Sequence, residues 1–363
     1  MVRVSFFYIF ILICCARYTG AQVIINNTGI PFINNYIRSE FNGGPQTWSI
    51  TQDNRGVLFF ANNSGILEFD GLDWRLYPME NGSIVRKVYK SKNGRIYVGA
   101  FNEFGFLQSD SLGDIYYESL SDLVPKDLQD FGEIWSIIDT KEGIVFQSFS
   151  STFLYNESLI TVLTDRNLNY AHLVDTKLFI GDNDFGLLLY DKGNVNKAIN
   201  GEFFKGKIIT GIIKLNKKDL LIGTQFHGFY LYNQKKIIQW RNNASEFIKK
   251  NQLYSLIQLD YNLYAAGTII DGLIFFNQNG EIIRHINKEV GLQNNSVLGL
   301  FLDADKNLWV GLDYGIDMIK LNSPVSMLFS PHEYGTGYVS AIKNKLLYFG
   351  TNHGLFYAGK EEI

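Results

Sequence analysis

The chain has 363 residues, 46% hydrophobic and 19% charged, and its 33 basic against 36 acidic residues give a formal charge of −3. That balance excludes intrinsic disorder, a collagen-like rod and a polybasic nucleic-acid binder. An inventory of 5 Trp, 21 Tyr and 28 Phe beside only 6 Pro and 4 Met favours strands over helices.

Met1 to Ala21 reads as an export signal: Arg3 gives the basic start, Val4 to Cys15 the apolar run, and Thr19-Gly20-Ala21 the small residues a signal peptidase accepts. The run is shorter than the roughly 20 residues a membrane helix needs and breaks at Arg17, so the mature chain is expected to be exported without a membrane span. Cys14 and Cys15, the two cysteines, both lie in this leader, after Ile13 rather than the small residue of a lipoprotein signal. The mature protein then has no disulfide and no cysteine metal site, and its stability must come from core burial in a large regular fold.

Downstream, an apolar run ending in a small residue, a short polar loop and a second apolar run recur eight times at intervals of about 41 residues. The paired runs begin at Val57 and Gly65, Ile96 and Gly105, Val145 and Phe153, Leu178 and Gly186, Leu220 and Gly228, Leu263 and Gly272, Leu308 and Gly315, and Leu346 and Gly354. Ala61, Gly99, Ser148, Gly181, Gly223, Gly267, Gly311 and Gly350 are taken as equivalent; they either admit a neighbouring backbone near an axis or only help the chain turn. Apolar runs such as Trp48-Ser49-Ile50 before a copy and Trp74-Arg75-Leu76-Tyr77 after it make four strands per unit. Asp53-Asn54-Arg55-Gly56 and Ser91-Lys92-Asn93-Gly94 supply hairpin turns between first and second strands. A four-stranded sheet cannot bury both faces alone, whereas a ring of them can, so the fold is expected to be an all-β propeller of four-stranded antiparallel blades. The insertion Ser119 to Phe131 before the third copy predicts a short surface helix. Trp74, Trp135, Trp240 and Trp309 are assigned to packing between blades.

Residues 31–70 align without a gap on 281–320, which puts Phe32 to Tyr36 in the place of the outer strand Ile282 to Ile286. The N-terminal segment is thus an orphan outer strand able to close a ring. Two arrangements satisfy the spacing. Residues 22–325 form a seven-bladed sensor ring ending at Lys320-Leu321-Asn322-Ser323-Pro324, and 326–363 begin a second, truncated propeller; or the eighth copy takes the orphan strand and closes an eight-bladed ring.

The unit Asn307-Leu308-Trp309-Val310-Gly311 followed by Gly315-Ile316 resembles the two-component regulator propeller repeat of Bacteroidetes hybrid two-component and three-tyrosine-motif sensors. The opening Gly29 to Tyr36, Pro45-Gln46-Thr47-Trp48, and the stretch from Gly335-Thr336-Gly337-Tyr338 to Leu355 resemble the same regulators. The resemblance spans about residues 29–358. It implies a periplasmic sensor domain that responds to an oligosaccharide or another small ligand by binding. It also implies partner domains downstream in the same regulator, a homodimer, and an N-terminal fragment or truncated product, since no three-tyrosine domain, membrane helix or output module follows Ile363.

No nucleophile elbow, phosphate loop or zinc spacing is present, and no cofactor or metal is expected. Asp303-Ala304-Asp305-Lys306-Asn307 begins like a calcium loop but has Tyr314 where the bidentate Glu belongs, and reads as a hairpin turn. The loops between second and third strands, which a propeller gathers on one face, carry the ligand-binding candidates: Asn62, Asn63, Asn102, Glu103, Phe104, Asp182, Asp184, Gln225, His227, Asp271, Asp313, Tyr314, Asn352 and His353. Amides, carboxylates and rings suit hydroxyl-rich ligands, although loops meeting water are polar in any case. Catalysis is not expected. The rival readings are an exported lyase or glycan hydrolase using His227 or His353 with Glu103 or Asp182, and a passive protein-interaction propeller.

Overall fold

Apolar runs without alternation need cover on both faces. Within one run, Leu58 and Phe60 pack with Trp309, Ile316 and Met318, whereas Phe59 and Ala61 pack with Val85, Val88 and Val98. Repeated along the chain, this division produces seven apolar seams between successive sheets, the seventh joining the last to the first. The computed structural model describes residues 29, 31–191, 194–233, 235–323, 325, 327 and 334–359. The expected leader lies outside them.

The architecture is a β-propeller: seven antiparallel four-stranded sheets, blades 1 to 7, and one further three-stranded sheet. The first strands of the blades, Thr47–Gln52, Val85–Lys90, Ile134–Asp139, Leu168–Val174, Ile209–Lys214, Leu253–Asp260 and Val297–Leu302, neighbour one another in a closed circuit. Their free edges are partly satisfied by hydroxyls of the preceding blade: the Val88 and Ala171 amides donate to Ser49 Oγ (2.8 Å) and Ser136 Oγ (3.1 Å).

Blade 7 obtains its outer strand from the N-terminus. Ile33–Tyr36 runs antiparallel to the third strand, with Ile33 opposite Ile319 and Tyr36 opposite Ile316. The orphan strand is therefore used by the seventh unit, and the eight-bladed alternative falls because blade 1 already packs on blade 7. The eighth copy, Gly337–Lys343, Leu346–Thr351 and Gly354–Gly359, pairs only within itself among the described residues, and leaves Tyr338, Val339 and Ile342 exposed.

In blades 2, 5, 6 and 7 the small residue of the repeat is small because of the next blade. A Cβ on Gly99 would lie 2.5 Å from the Ile134 side chain, and one on Gly311 2.5 Å from the Thr47 carbonyl oxygen. Register corrects one equivalence: Gln147, not Ser148, occupies this position in blade 3, since it faces Ser136 as Gly99 faces Lys87. Its amide donates to the carbonyls of Ser148 and Asn169 instead.

The insertion in blade 2 forms two 3-10 turns, Ser121–Leu123 and Lys126–Leu128, rather than a helix, with Pro125 between them and Leu120, Val124 and Phe131 anchored in the seam. A helix that strand periodicity does not predict, Asn243–Asn251, links blades 5 and 6. Asn242 caps it by accepting from the Ser245 amide, and Ala244 and Ile248 are buried. Trp74, Trp240 and Trp309 sit in seams as expected; Trp135 does not.

Candidate functional site

Each first strand slips register at the same place, between Thr47 and Ser49, Val85 and Lys87, Ile134 and Ser136, and equivalently through blade 7 between Val297 and Gly299. A bulge leaves its extra residue unpaired and re-aims side chains. Trp48, Arg86, Trp135 and Tyr254 occupy these positions and line a central cavity of about 460 Å³, to which all seven blades contribute.

The Arg86 guanidinium carbon lies 4.1 Å from the Trp48 ring centre and 5.0 Å from that of Trp135, and the two indoles meet edge to face at 5.8 Å. Arg86 Nη2 donates to Glu133 Oε1 at 3.3 Å. Asn63 orients Trp48 by accepting from its indole N–H at 2.7 Å, while Phe149 stacks on Trp135 at 5.3 Å. Lys87 and His172 also line the cavity. Burial lowers the Lys87 pKa and brings His172 down to about 4, with Lys87 a smaller contributor, so His172 is neutral at ordinary pH. Burial raises the Tyr170 phenol, and raises Tyr254 further, with Tyr170 beside it.

On the second-to-third-strand loops of blades 2 to 7 stand six exposed apolar side chains: Phe101, Phe149, Phe185, Phe226, Ile270 and Tyr314, each 36% to 51% accessible. Large apolar groups left in water on six consecutive loops mark a contact surface. Through Phe149 and Trp135 this crown runs continuously into the cavity lining.

The sequence-derived candidates divide among several roles. Asn63, Gln225, His227, Asp271, Asp313 and Tyr314 lie on the crown loops. Asp184 lies there too, exposed. Asn62 and Asp182 also end second strands, but both are buried and close their own loops: Asn62 Oδ1 accepts from the Ser64 amide, and Asp182 Oδ1 from those of Asp184 and Phe185. Phe104 is wholly buried, stacked on Phe146 at 4.3 Å, and so cannot meet a ligand. The loop before it is only two residues long, and the third strand already starts at Glu103.

Glu103 is committed to Tyr117, Ser119 and Ser121, and Asn102 holds the insertion through Gly132 and Asp130. Asn352 and His353 stand on the separate three-stranded sheet, which is not one of the seven blades. The paired groups of the enzymatic reading are therefore not brought together. His227 has Lys207 and Lys249 near it, which, after burial, lower its pKa. Arg86, Trp48, Lys87, Trp135 and five of the six crown residues escape a reading restricted to polar loop residues. Their signal is an apolar residue inside an otherwise polar loop and a cation between aromatic first-strand residues.

Residues 291–314, which hold the first two strands of blade 7, match the family model described as Two component regulator propeller. No curated protein matches the chain. Among solved structures, the extracellular domains of two hybrid two component systems of B. thetaiotaomicron are 19% identical, with TM-scores of 0.63 and 0.61. They cover 92% and 91% of this chain, which spans 48% and 46% of theirs, about half their length. A virginiamycin B lyase from Staphylococcus aureus, 12% identical over 80% of this chain and 99% of its own, aligns with a TM-score of 0.59. At such identities the likeness is one of fold. No helix among the described residues is long and apolar enough to cross a membrane. The described residues form a seven-bladed β-propeller with one further sheet, and residues 291–314 match the two component regulator propeller repeat.

Proposed function

We propose that this propeller is the periplasmic ligand-sensing part of a two-component or related transcriptional regulator, and that it recognises a saccharide on its crown face by binding without turnover. The reading is carried by the crown itself: six exposed apolar side chains, four of them Phe, stand on the crown loops, and Phe149 joins them to the lining of a cavity large enough for a small ligand. Aromatic faces stack on sugar rings, and the amides and carboxylates beside them exchange hydrogen bonds with hydroxyls. The matched repeat and the likeness to ectodomains of hybrid two component systems support the regulatory setting. The three-stranded sheet 337–359 would be the first blade of a second propeller. A ring tied by seven seams changes little internally, so binding would act through the geometry between rings and partner domains.

The test is thermal stabilisation of the chain by a glycan panel, with product analysis of each mixture. Stabilisation by one saccharide class, without products and weakened by Phe149→Ala or Phe226→Ala, is the expected outcome. Turnover would establish the enzymatic reading instead, and no stabilisation by any glycan would refute saccharide sensing.

A further inference from the structure

The positive charge at the cavity is only partly compensated. Its lining includes Arg86 and Lys87 but no acidic residue, in a chain with a net charge of −3. Glu133 bonds one nitrogen of Arg86, whereas Arg86 Nε and Nη1 are buried and find no acceptor among the described residues. Two more buried polar atoms of the lining, Trp135 Nε1 and Ser255 Oγ, also lack a protein partner. Lys87 pairs with no carboxylate among the described residues. Buried donors left unpaired are costly, and a buried cation needs a counter-charge. Evolution could have filled the bulge of blade 2 with an apolar residue like Leu298 of blade 7. Instead the guanidinium lies against two indole rings set edge to face, contacts that position it while consuming none of its N–H groups.

We propose that the cavity is an anion site, and that its occupant is the carboxylate of an acidic sugar, anchored by Arg86 with Lys87 as second cation and Trp135 Nε1 as a neutral donor. The carboxylate supplies an acceptor for the unpaired Arg86 nitrogens and a counter-charge for Lys87, while the ring of the sugar lies toward Phe149 and the crown. The class of ligand rests on the saccharide reading above; the anion site rests on the cavity alone.

Calorimetric titration of the full exported chain with a uronate oligosaccharide, its neutral counterpart and a non-sugar carboxylate separates the two. Uronate binding is expected to exceed neutral-sugar binding, to weaken with salt, and to fall about tenfold to a hundredfold in Arg86→Gln, the range for losing a charge-assisted hydrogen bond. Lys87→Gln, which leaves the contacts of Arg86 with the two indoles intact, should weaken the same binding even if Arg86→Gln does not fold. Equal affinity for neutral and acidic sugars, or wild-type uronate affinity in both variants, overturns the anion site and leaves saccharide sensing standing. Binding of the plain carboxylate but of no sugar, lost in Arg86→Gln, upholds the anion site and removes the saccharide. Binding of none of the three removes both.

Discussion

If the N-terminal strand closes the ring, breaking its side-chain clasp should loosen blade 7. Asn35 Nδ2 donates to Asp317 Oδ1 at 2.7 Å, and Asp317, fully buried, also accepts from the Gln293 amide (2.9 Å) and from Gln293 Nε2 (2.8 Å). One carboxylate thus ties the closing strand, the third strand of blade 7 and the loop entering that blade. A hydrogen bond to a charged group contributes about 1.5–3 kcal/mol. Asn35→Ala loses one such bond, at the low end because Asn35 is exposed and water replaces it. Asp317→Ala loses three and opens a small void, about 3 kcal/mol after relief of the carboxylate's own desolvation. The double variant should cost less than the sum of the singles by about 1 kcal/mol or more, since each single already breaks the shared bond. Urea unfolding of the four proteins, followed by tryptophan fluorescence, measures this: Trp309 stacks on Tyr36 at 5.5 Å and so reports on the closing strand. Strict additivity, or an Asp317→Ala protein as stable as wild type, would refute closure by this strand.

Three further outcomes follow from particular contacts. Phe104→Ala should destabilise by about 3–5 kcal/mol in urea while leaving saccharide affinity unchanged, because the ring is core and not loop. Gly311→Val, whose side chain would meet the Thr47 carbonyl, should cost at least about 2 kcal/mol at the seam between blades 7 and 1, read as a lowered denaturation midpoint. His172, whose folded pKa is about 4 against 6.5 when unfolded, binds fewer protons folded than unfolded, so stability is lost as pH falls from 6.5 toward 4. His172→Gln should remove up to about 3 kcal/mol of that acid-induced loss, and an unchanged difference between pH 6.5 and 4 would contradict the burial of this ring.

What the sequence disclosed was whatever is written locally. Asp53 in its hairpin accepts from the Arg55 and Val57 amides, and Asp303 from the Asn307 amide and the Trp309 indole, so these turns are legible from Asp, Asn and Gly alone. The orphan strand was legible because its partner pattern recurs 250 residues later. Register was not. The small-residue rule picked Ser148 over Gln147, because a run that ends in Ser looks like one that ends in Gly until pairing with Ser136 is seen. Phe104 was read as loop for the same reason: loop length varies from blade to blade, and composition does not say where a hairpin closes.

The bulges hid most of the site. As a large aromatic in an apolar strand Trp135 reads as seam packing, but one unpaired residue per first strand turns it inward, and nothing in a single sequence marks that slip. Because every blade slips at the same level, seven residues of five types converge on one cavity, free of the constraints that hold the seams apolar. The repeat therefore separates two demands. Seam positions stay small or apolar, as Gly99 and Gly311 do, except for the hydrogen-bonded Gln147 of blade 3, whereas bulge positions can take Trp, Arg, Tyr, Thr or Leu at little cost to the ring. Ligand specificity in such a propeller should vary at the bulges and the crown while the seams remain fixed. Exchanging Arg86 and Trp135 should accordingly change what binds and leave the fold in place.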